Sequence, residues 1–439
     1  MTANAASTAA SAANRTDHFV CPFCGLLCDD LPAPGRVEEI VAWGQRLQAL
    51  CPRAGNGIVG LAKAATDRPP AAMIDGKPAT LEEAVAEAAR LFAAARRPVI
   101  GGLSGDVQAI RAALTLADRG SARVVHRNQF VAQCNLFAQQ SRGAMTATLA
   151  EVKNRAELIL VIGGSLTNGF PRLYERLFAP APVFVNEAER TVLLLGAPAP
   201  ERLPSGVRVE QVDCGNLDLL DSVAVLRAHL LGQSVASGDA ANGLASLAQR
   251  LRDGRYGAVV WAAAELDCSG ADLLVEQLFQ MVVDLNKKTR WVCLPLGGND
   301  ADLTANAVST WQTGFPLPIE FSGNGVAHSV AYDPFPDYAD ADLLLWLAPL
   351  AGVGKPTVPG VADDVSTIVI GAPSLVDAAP VDAKGIFIAV ASPGVTGTGH
   401  LVRTDGVITM YAAAVLDSPL PAAAEVLERI AAALNGEQQ

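Results

Sequence analysis

Basic residues are in the minority here: 33 Lys and Arg stand against 45 Asp and Glu, for a net charge of −12. That balance excludes a general affinity for nucleic acid or for an anionic membrane surface. Charge of either sign is scarce, at 18% of 439 residues, while half the residues are hydrophobic. This is the composition of a well-buried α/β protein of two or three domains. No apolar run reaches the length of a membrane-spanning helix. The first 17 residues, MTANAASTAASAANRTD, lack the apolar core of a signal peptide and read as a disordered tail. Without an export signal the expected compartment is the cytoplasm, where thiols stay reduced and a disulfide framework is not expected. The five histidines are dispersed, so neither a Ser–His–Asp triad nor a histidine-rich metal site emerges.

What the chain does have is a cluster of cysteines. Cys21, Cys24 and Cys28 lie in HFVCPFCGLLCDD and Cys51 in ALCPRAGNG, spaced C-x2-C-x3-C-x22-C. Thiolates at such spacing can converge from one loop, with a fourth returning from a later turn. Four of them suit an Fe–S cluster or a structural zinc. Zinc ribbons usually pair two C-x2-C hooks, which the x3 gap matches less well, so a cluster site, intact or vestigial, is expected. Cys214, Cys268 and Cys293 stand in apolar or strand-like contexts and read as ordinary buried residues.

Beyond this segment, strand-like and helix-like stretches alternate. Strands are expected at PVIGG (98–102), ARVVH (122–126), AELILVIGG (156–164), PVFVN (182–186) and GAVVWAA (257–263). The series continues with RWVCLP (290–295), LLLWLAP (343–349), STIVIGAP (366–373) and IFIAVAS (386–392). Continuous β-branched and leucine runs mark strands buried on both faces, hence parallel sheets covered by helices in a doubly wound α/β fold. LDLLDSVAVLRAHLLG is expected to be helical, ASGDAANG (236–243) a surface loop, and the stretch from Pro419 onward an alanine-rich helix. The expected organisation is a tail over 1–17, a cysteine-rich domain over 18–73, a first lobe over 74–195 completed by 330–439, and a second lobe over 196–329. Two glycine-rich strand ends, GGLSG (101–105) and GGSLTNGFPR (163–172), could let backbone approach a ligand at a helix N-terminus. Neither is G-x-G-x-x-G, and each reads equally as a tight strand-to-helix turn.

Several segments together resemble the B subunit of formylmethanofuran dehydrogenase, a branch of the molybdopterin oxidoreductases. They are HFVCPFCGLLCDD, TLAEVKNRAELILVIGGSLTNGFPR (148–172), LNKKTRWVCLPLGGNDADLTANAVSTWQTGFP (285–316) and RTDGV (403–407). The resemblance implies two Rossmann-like lobes with a cysteine-rich front and no pterin-capping domain in this chain. In redox-active members a tungsten or molybdenum bis-pterin lies between the lobes, fed by the cluster, and reduces carbon dioxide to formate.

Residue by residue, the comparison departs from that chemistry. Active members carry a Cys-His pair followed by Gly-Pro; here Cys134 is followed by Asn135 in QFVAQCNLF. Where the active family has an anion-holding arginine, PLGGND places Gly297. Losing both groups removes acid–base and electrostatic assistance, each commonly worth about 10²–10⁴ in rate. The resemblance is therefore strongest to the bacterial formyltransferase/hydrolase complex, in which a formyl group passes from tetrahydromethanopterin to a methanofuran-like carrier and is released as formate. The implied role is structural, with no catalytic residue in this chain and no tungstopterin or molybdopterin. The implied partners are an amidohydrolase-type hydrolase subunit, a formyltransferase subunit and a further family subunit. Cys21, Cys24, Cys28 and Cys51 would hold a [4Fe–4S] cluster, hold zinc, or simply pack. Two rivals stand alongside: an active tungsten or molybdenum subunit, and a carrier-binding module using Arg172 and Arg176 of NGFPRLYER.

Overall fold

The computed structural model describes residues 18–34, 39–67, 70–184, 190–233, 235, 239–266, 270–328, 338–350, 356–378 and 385–436. The expected N-terminal tail, Cys268 and the start of the expected 236–243 loop lie outside these residues. The chain forms two compact units, one of residues 1–127, 300–402 and 409–439, the other of 128–299 and 403–408.

The chain opens with β1 (His18–Phe19), β2 (Leu31–Pro32), α1 (Ile40–Leu50) and α2 (Pro52–Asp67). There follow β3 (Ala72–Ile74), β4 (Lys77–Ala79), α3 (Leu81–Ala94), β5 (Pro98–Gly101), α4 (Val107–Arg119) and β6 (Arg123–Val124). The second unit contains α5 (Gln129–Arg142), α6 (Leu149–Arg155), β7 (Leu158–Ile162), α7 (Leu166–Gly169), β8 (Arg190–Leu195) and β9 (Val207–Gln211). It continues with α8 (Leu219–Leu230), α9 (Asp239–Asp253), β10 (Tyr256–Ala262), α10 (Ala271–Leu285) and β11 (Arg290–Leu296). The first unit resumes with α11 (Asp302–Thr313), β12 (Ile319–Ser322), β13 (Gly325–His328), β14 (Leu343–Ala348), β15 (Ser366–Gly371) and β16 (Gly385–Ala389). The hairpin β17 (Gly399–Val402) and β18 (Thr409–Ala412) and then α12 (Ala423–Gly436) close it.

In the first unit nine strands are ordered β13-β12-β6-β5-β14-β15-β16-β3-β4. The central five are parallel, and antiparallel hairpins extend both edges. Alternation along β14 builds two cores at once. Leu343, Leu345 and Leu347 join α3, α4 and α12 on one face, while Leu344, Trp346 and Ala348 pack with Val99, Val369 and Phe387 on the other. Helix starts are fixed by side chains: Thr80 and Glu83 form a reciprocal capping box on α3, and Asp106 caps α4.

The second unit is a fully parallel five-stranded sheet, β11-β10-β7-β8-β9. Its core joins Leu160, Ile162, Leu193, Val259 and Trp261 to α5, α8, α9 and α10. The doubly wound α/β architecture read from the apolar runs is thus present in both units. Three details differ from expectation. No strand forms over 182–184, where Val183 and Phe184 are exposed in a turn; the strand is β8, whose run TVLLL can be buried. Asp239–Gly243 begins α9 instead of lying in a loop. The expected lobe boundary after Leu195 is also displaced. β7 is hydrogen-bonded to both β8 and β10, so a cut there would split one sheet, and residues 300–329 belong to the first unit. The cysteine segment likewise belongs to that unit and is not a separate body.

Arg190, at the start of β8, holds the second unit together in a way no motif announced. Its guanidinium is buried and donates to the carbonyls of Lys153 (2.7 Å), Ala156 (2.7 Å), Leu177 (2.9 Å), Phe178 and Pro180 (3.1 Å). These are the otherwise unmet carbonyls at the ends of α6 and of the π-helical turn Tyr174–Phe178. Burial pushes its pKa down to about 10, so it stays charged at neutral pH and gains from both helix ends. Arg190→Met should cost about 3–5 kcal/mol, since several buried carbonyls lose their donor together. Chemical denaturation of the two chains side by side checks this, and a loss below about 1 kcal/mol would contradict it.

Candidate functional site

Open parallel sheets bind ligands outside the carboxyl ends of their strands, where strand order reverses. That point lies between β5 and β14 in the first unit and between β7 and β10 in the second. Both glycine loops singled out by sequence stand there, GGLSG after β5 and GGSLTNG after β7, and in both several backbone donors are already engaged. Ser104 donates to Leu347 O at 3.0 Å, while Leu103 and Gly105 donate within their own turn. The start of α4 already carries the Asp106 carboxylate, which accepts from Gln108 and Ala109 and would repel an anion. In the second unit Gly163 donates to Leu195 O (3.1 Å) and Gly164 to Glu265 O (2.8 Å), and α7 is a single turn. Burial raises the Glu265 pKa above the usual carboxylate range. These loops are strand-to-helix turns and not phosphate cradles.

In the first unit the cysteine loop is closed by Cys21 N–H donating to Cys28 O (2.9 Å) and Leu27 N–H to Cys24 O (3.2 Å), with Leu27 left-handed at φ 47°. Cys51 ends α1, and its carbonyl accepts from Gly55 at 3.0 Å in the first turn of α2. Trp43 ties α1 to the loop, donating from Nε1 to Pro32 O (2.7 Å) and meeting Phe19 edge-on at 5.0 Å. Gly57 has to be glycine, because a Cβ there would stand 2.3 Å from the Phe23 ring. All four thiols are buried. Burial is the main cause raising the Cys21 pKa, and the charges that Cys24, Cys28 and Cys51 would carry raise it further. The four sulfurs therefore lie within electrostatic reach of one another. Even so, no three His, Cys, Asp or Glu side chains among the described residues converge on one metal ion. Four thiolates are in kind the donor set of a [4Fe–4S] cluster, which spreads them over several irons, and of a tetrahedral zinc.

Beside the loop lies a cleft of about 240 Å³ lined by Pro22, Phe23, Arg53, Asn56, Gly57, Asp300 and Leu350. Arg53 donates from Nε to Phe23 O at 3.0 Å. Asp300 and Ala301 are both left-handed, at φ 52° and 60°, and His126 steadies that kink by donating from Nε2 to Asp300 O at 3.0 Å. His126 had no motif to mark it. It is fully buried, and desolvation pushes its pKa down to about 4.

In the second unit Cys134 is buried within the apolar core that also holds Trp261 and Phe279. Asn135 Oδ1 accepts from Trp261 Nε1 at 3.0 Å, and Trp261 meets Phe279 edge-on at 5.5 Å. Sequence reasoning marked Asn135 only as a missing histidine, yet the structure gives it a job, satisfying a buried indole. Gly297 donates to Thr404 Oγ1 at 3.0 Å. Asp405, paired with Arg403, accepts from Leu149 N–H at 3.0 Å. RTDGV and the PLGGND loop thus meet in one structural knot. Arg172 is buried and paired with Glu175 at 2.5 Å, so it contributes to no exposed basic patch.

No family model matches the chain. It is 33% identical over 369 residues, 82% of its own length and 97% of the relative's, to the B subunit of the formyltransferase/hydrolase complex Fhc of Methylorubrum extorquens. The chain is a member of the Fhc B-subunit family. It is also 27% identical over 316 residues, 70% of this chain and 72% of the relative, to the B subunit of a tungsten-containing formylmethanofuran dehydrogenase of Methanocaldococcus jannaschii. Among solved structures it matches the formyltransferase/hydrolase complex of M. extorquens, solved with methylofuran, at a TM-score of 0.71 and 31% identity, covering 84% of this chain and 99% of that one. The family and the fold expected from the cysteine loop and the three other segments are those found. No helix is long and apolar enough to cross a membrane, among the described residues.

Buried His126 links the kink at Asp300 to acidity. Its pKa is about 4 when folded against 6.5 when free, so the unfolded chain binds more protons between those values. Stability should be complete above pH 6.5 and fall as pH drops toward 4, by at most about 3 kcal/mol. His126→Gln, which keeps the Nε2 donor and cannot titrate, should flatten that limb in unfolding curves taken from pH 7 to 4. An unchanged limb would assign the acid sensitivity elsewhere.

Proposed function

We propose that this chain is the non-redox, structural B subunit of a cytoplasmic formyltransferase/hydrolase complex. That complex moves a formyl group from tetrahydromethanopterin to a methanofuran-like carrier and releases formate. The observation that carries the reading is the pair Cys134–Asn135. The thiol lies in an apolar core and the neighbouring amide is committed to Trp261, so neither is left to bind a metal or move a proton. Gly297, tied to Thr404, supplies no charge for an anion. Bond-making then belongs to the partners, an amidohydrolase-type hydrolase and a formyltransferase, accompanied by a further family subunit. The same pair leaves a tungsten or molybdenum pterin without its thiolate. Cys21, Cys24, Cys28 and Cys51 are proposed to hold a [4Fe–4S] cluster that stiffens the loop, in preference to zinc.

Two measurements test this. In the assembled complex Cys134→Ser should leave formate release unchanged to within about twofold, whereas a loss beyond about tenfold with the complex intact would give this chain a chemical role. Metal analysis with pterin extraction should find about four irons per chain and neither tungsten nor pterin. Tungsten or molybdenum with pterin would make the chain a redox subunit, zinc near one per chain would overturn the cluster assignment, and no metal at all would leave the four thiols as packing groups.

A further inference from the structure

β9 (Val207–Gln211) ends the five-stranded sheet of the second unit and pairs on one side only, with β8. Every residue of it is half-buried or exposed. The ladder to β8 fixes which of its backbone groups are engaged. Arg190 N–H donates to Gly206 O at 3.5 Å, and Val212 N–H donates to Leu194 O at 2.9 Å. In the parallel register both bonds set one phase, so Arg208 and Glu210 turn their N–H and C=O groups toward β8. Val207, Val209 and Gln211 turn theirs outward, where no hydrogen bond from the described residues meets them.

Other edges of these sheets are protected. On β11, at the far end of the same sheet, Cys293 N–H donates to Met145 O at 2.8 Å and Cys293 O accepts from Ala147 N–H at 2.9 Å. In the first unit the edge strand β4 reads Lys-Pro-Ala, and lysine and proline both discourage further pairing. β9 reads VRVEQ, with no lysine, proline or glycine, and its register is unbroken by a bulge. Arg208 and Glu210 share one face of it, joined at 3.0 Å, and Arg250 also holds Glu210 at 2.6 Å. A straight edge left open in this way is a template for one more strand.

We propose that the added strand is β9 of a second copy of this chain, antiparallel across a two-fold axis at Val209. The sequence is its own complement in that register. The two Val209 residues exchange N–H and C=O, and each Val207 exchanges with Gln211 of the copy, so all the outward backbone groups are met. Arg208 then lies directly opposite Glu210 of the copy, twice by symmetry. That pair is of the closer, non-hydrogen-bonded kind, where opposite charges attract and like charges repel most. Each copy carries a net charge of −12, yet charges more than about 8 Å apart are largely screened at physiological salt. The facing Arg–Glu pairs lie inside that distance and decide the outcome. The inference does not depend on the non-redox reading above.

The test uses the full chain co-expressed with its other subunits, counting copies per assembly by native mass spectrometry and following their separation on dilution. Wild type should hold two copies. Arg208→Glu and Glu210→Arg should each weaken the pairing of copies by about tenfold or more, because like charges then face across the axis. The double variant restores opposite charges and should return to within about threefold of wild type, a rescue that a merely structural role for these side chains would not give. Val209→Pro removes both donors at the axis, leaves the β8 ladder intact, and should weaken pairing by about thirtyfold. Amide exchange at Val207, Val209 and Gln211 should slow as copies pair, while Arg208 and Glu210 stay slow throughout. One copy per wild-type assembly overturns the proposal, as does pairing unchanged in both Arg208→Glu and Val209→Pro. Slow exchange at Val209 in assemblies that hold a single copy would give the edge to a strand of another subunit and overturn it as well.

Discussion

A parallel strand covered on both faces can offer polar chemistry only at its ends, and the rest of this molecule follows from that constraint. All of β7 is buried, and the central strands of the first unit build two separate cores through alternate side chains. Apolar burial at about 25 cal/mol per Å² makes such a frame tolerant of change at its edges. Whatever the protein does with polar groups must be arranged at the carboxyl edge, on the cysteine loop, on the outer helix surfaces, or along the open side of an edge strand. At the carboxyl edge the donors are turned inward. Gly163, Gly164 and Ser104 donate to backbone carbonyls of neighbouring strands and loops, and Asp106 occupies the start of α4. A site of this topology that binds an anion keeps those same donors open.

Inward satisfaction also accounts for what Asn135 and Gly297 do in the packing. A buried indole N–H left without an acceptor costs about 1–3 kcal/mol. Asn135 meets that donor directly. Likewise Gly297, with no side chain to offer, has its N–H bound by Thr404, whose neighbour Asp405 holds the start of α6. The inventory is not complete there, since both side-chain polar atoms of the neighbouring Gln133 are buried without a partner.

Much of the fold was legible because long apolar runs have one sensible destination. β5, β7, β10, β11, β14, β15 and β16 stand where the runs did. PVFVN misled because a short apolar run alone does not distinguish a strand from an exposed turn; the longer TVLLL beside it was the better candidate. The lobe boundary was illegible for a different reason. It depends on which strand lies central in the sheet, and β7 pairs with strands far apart in sequence. Of the site, Cys134, Asn135 and Gly297 were found through resemblance, whereas their partners Trp261 and Thr404 were not. Arg190 and His126 were invisible. A lone buried arginine or histidine has no spacing signature, and its meaning comes only from the carbonyls gathered around it.

The same reasoning separates the two polar regions that remain. Arg190 and His126 are buried, the Arg403–Asp405 pair is half-buried, and all answer to carbonyls or carboxylates of their own unit. Their interactions are committed to folding and are not open to a ligand. Trp311, by contrast, stands 61% exposed at the end of α11, where apolar area left in water is a cost to folding. Unmet polar groups are found inside as well, among them the Gln133 amide beside Cys134 and the Trp346 indole.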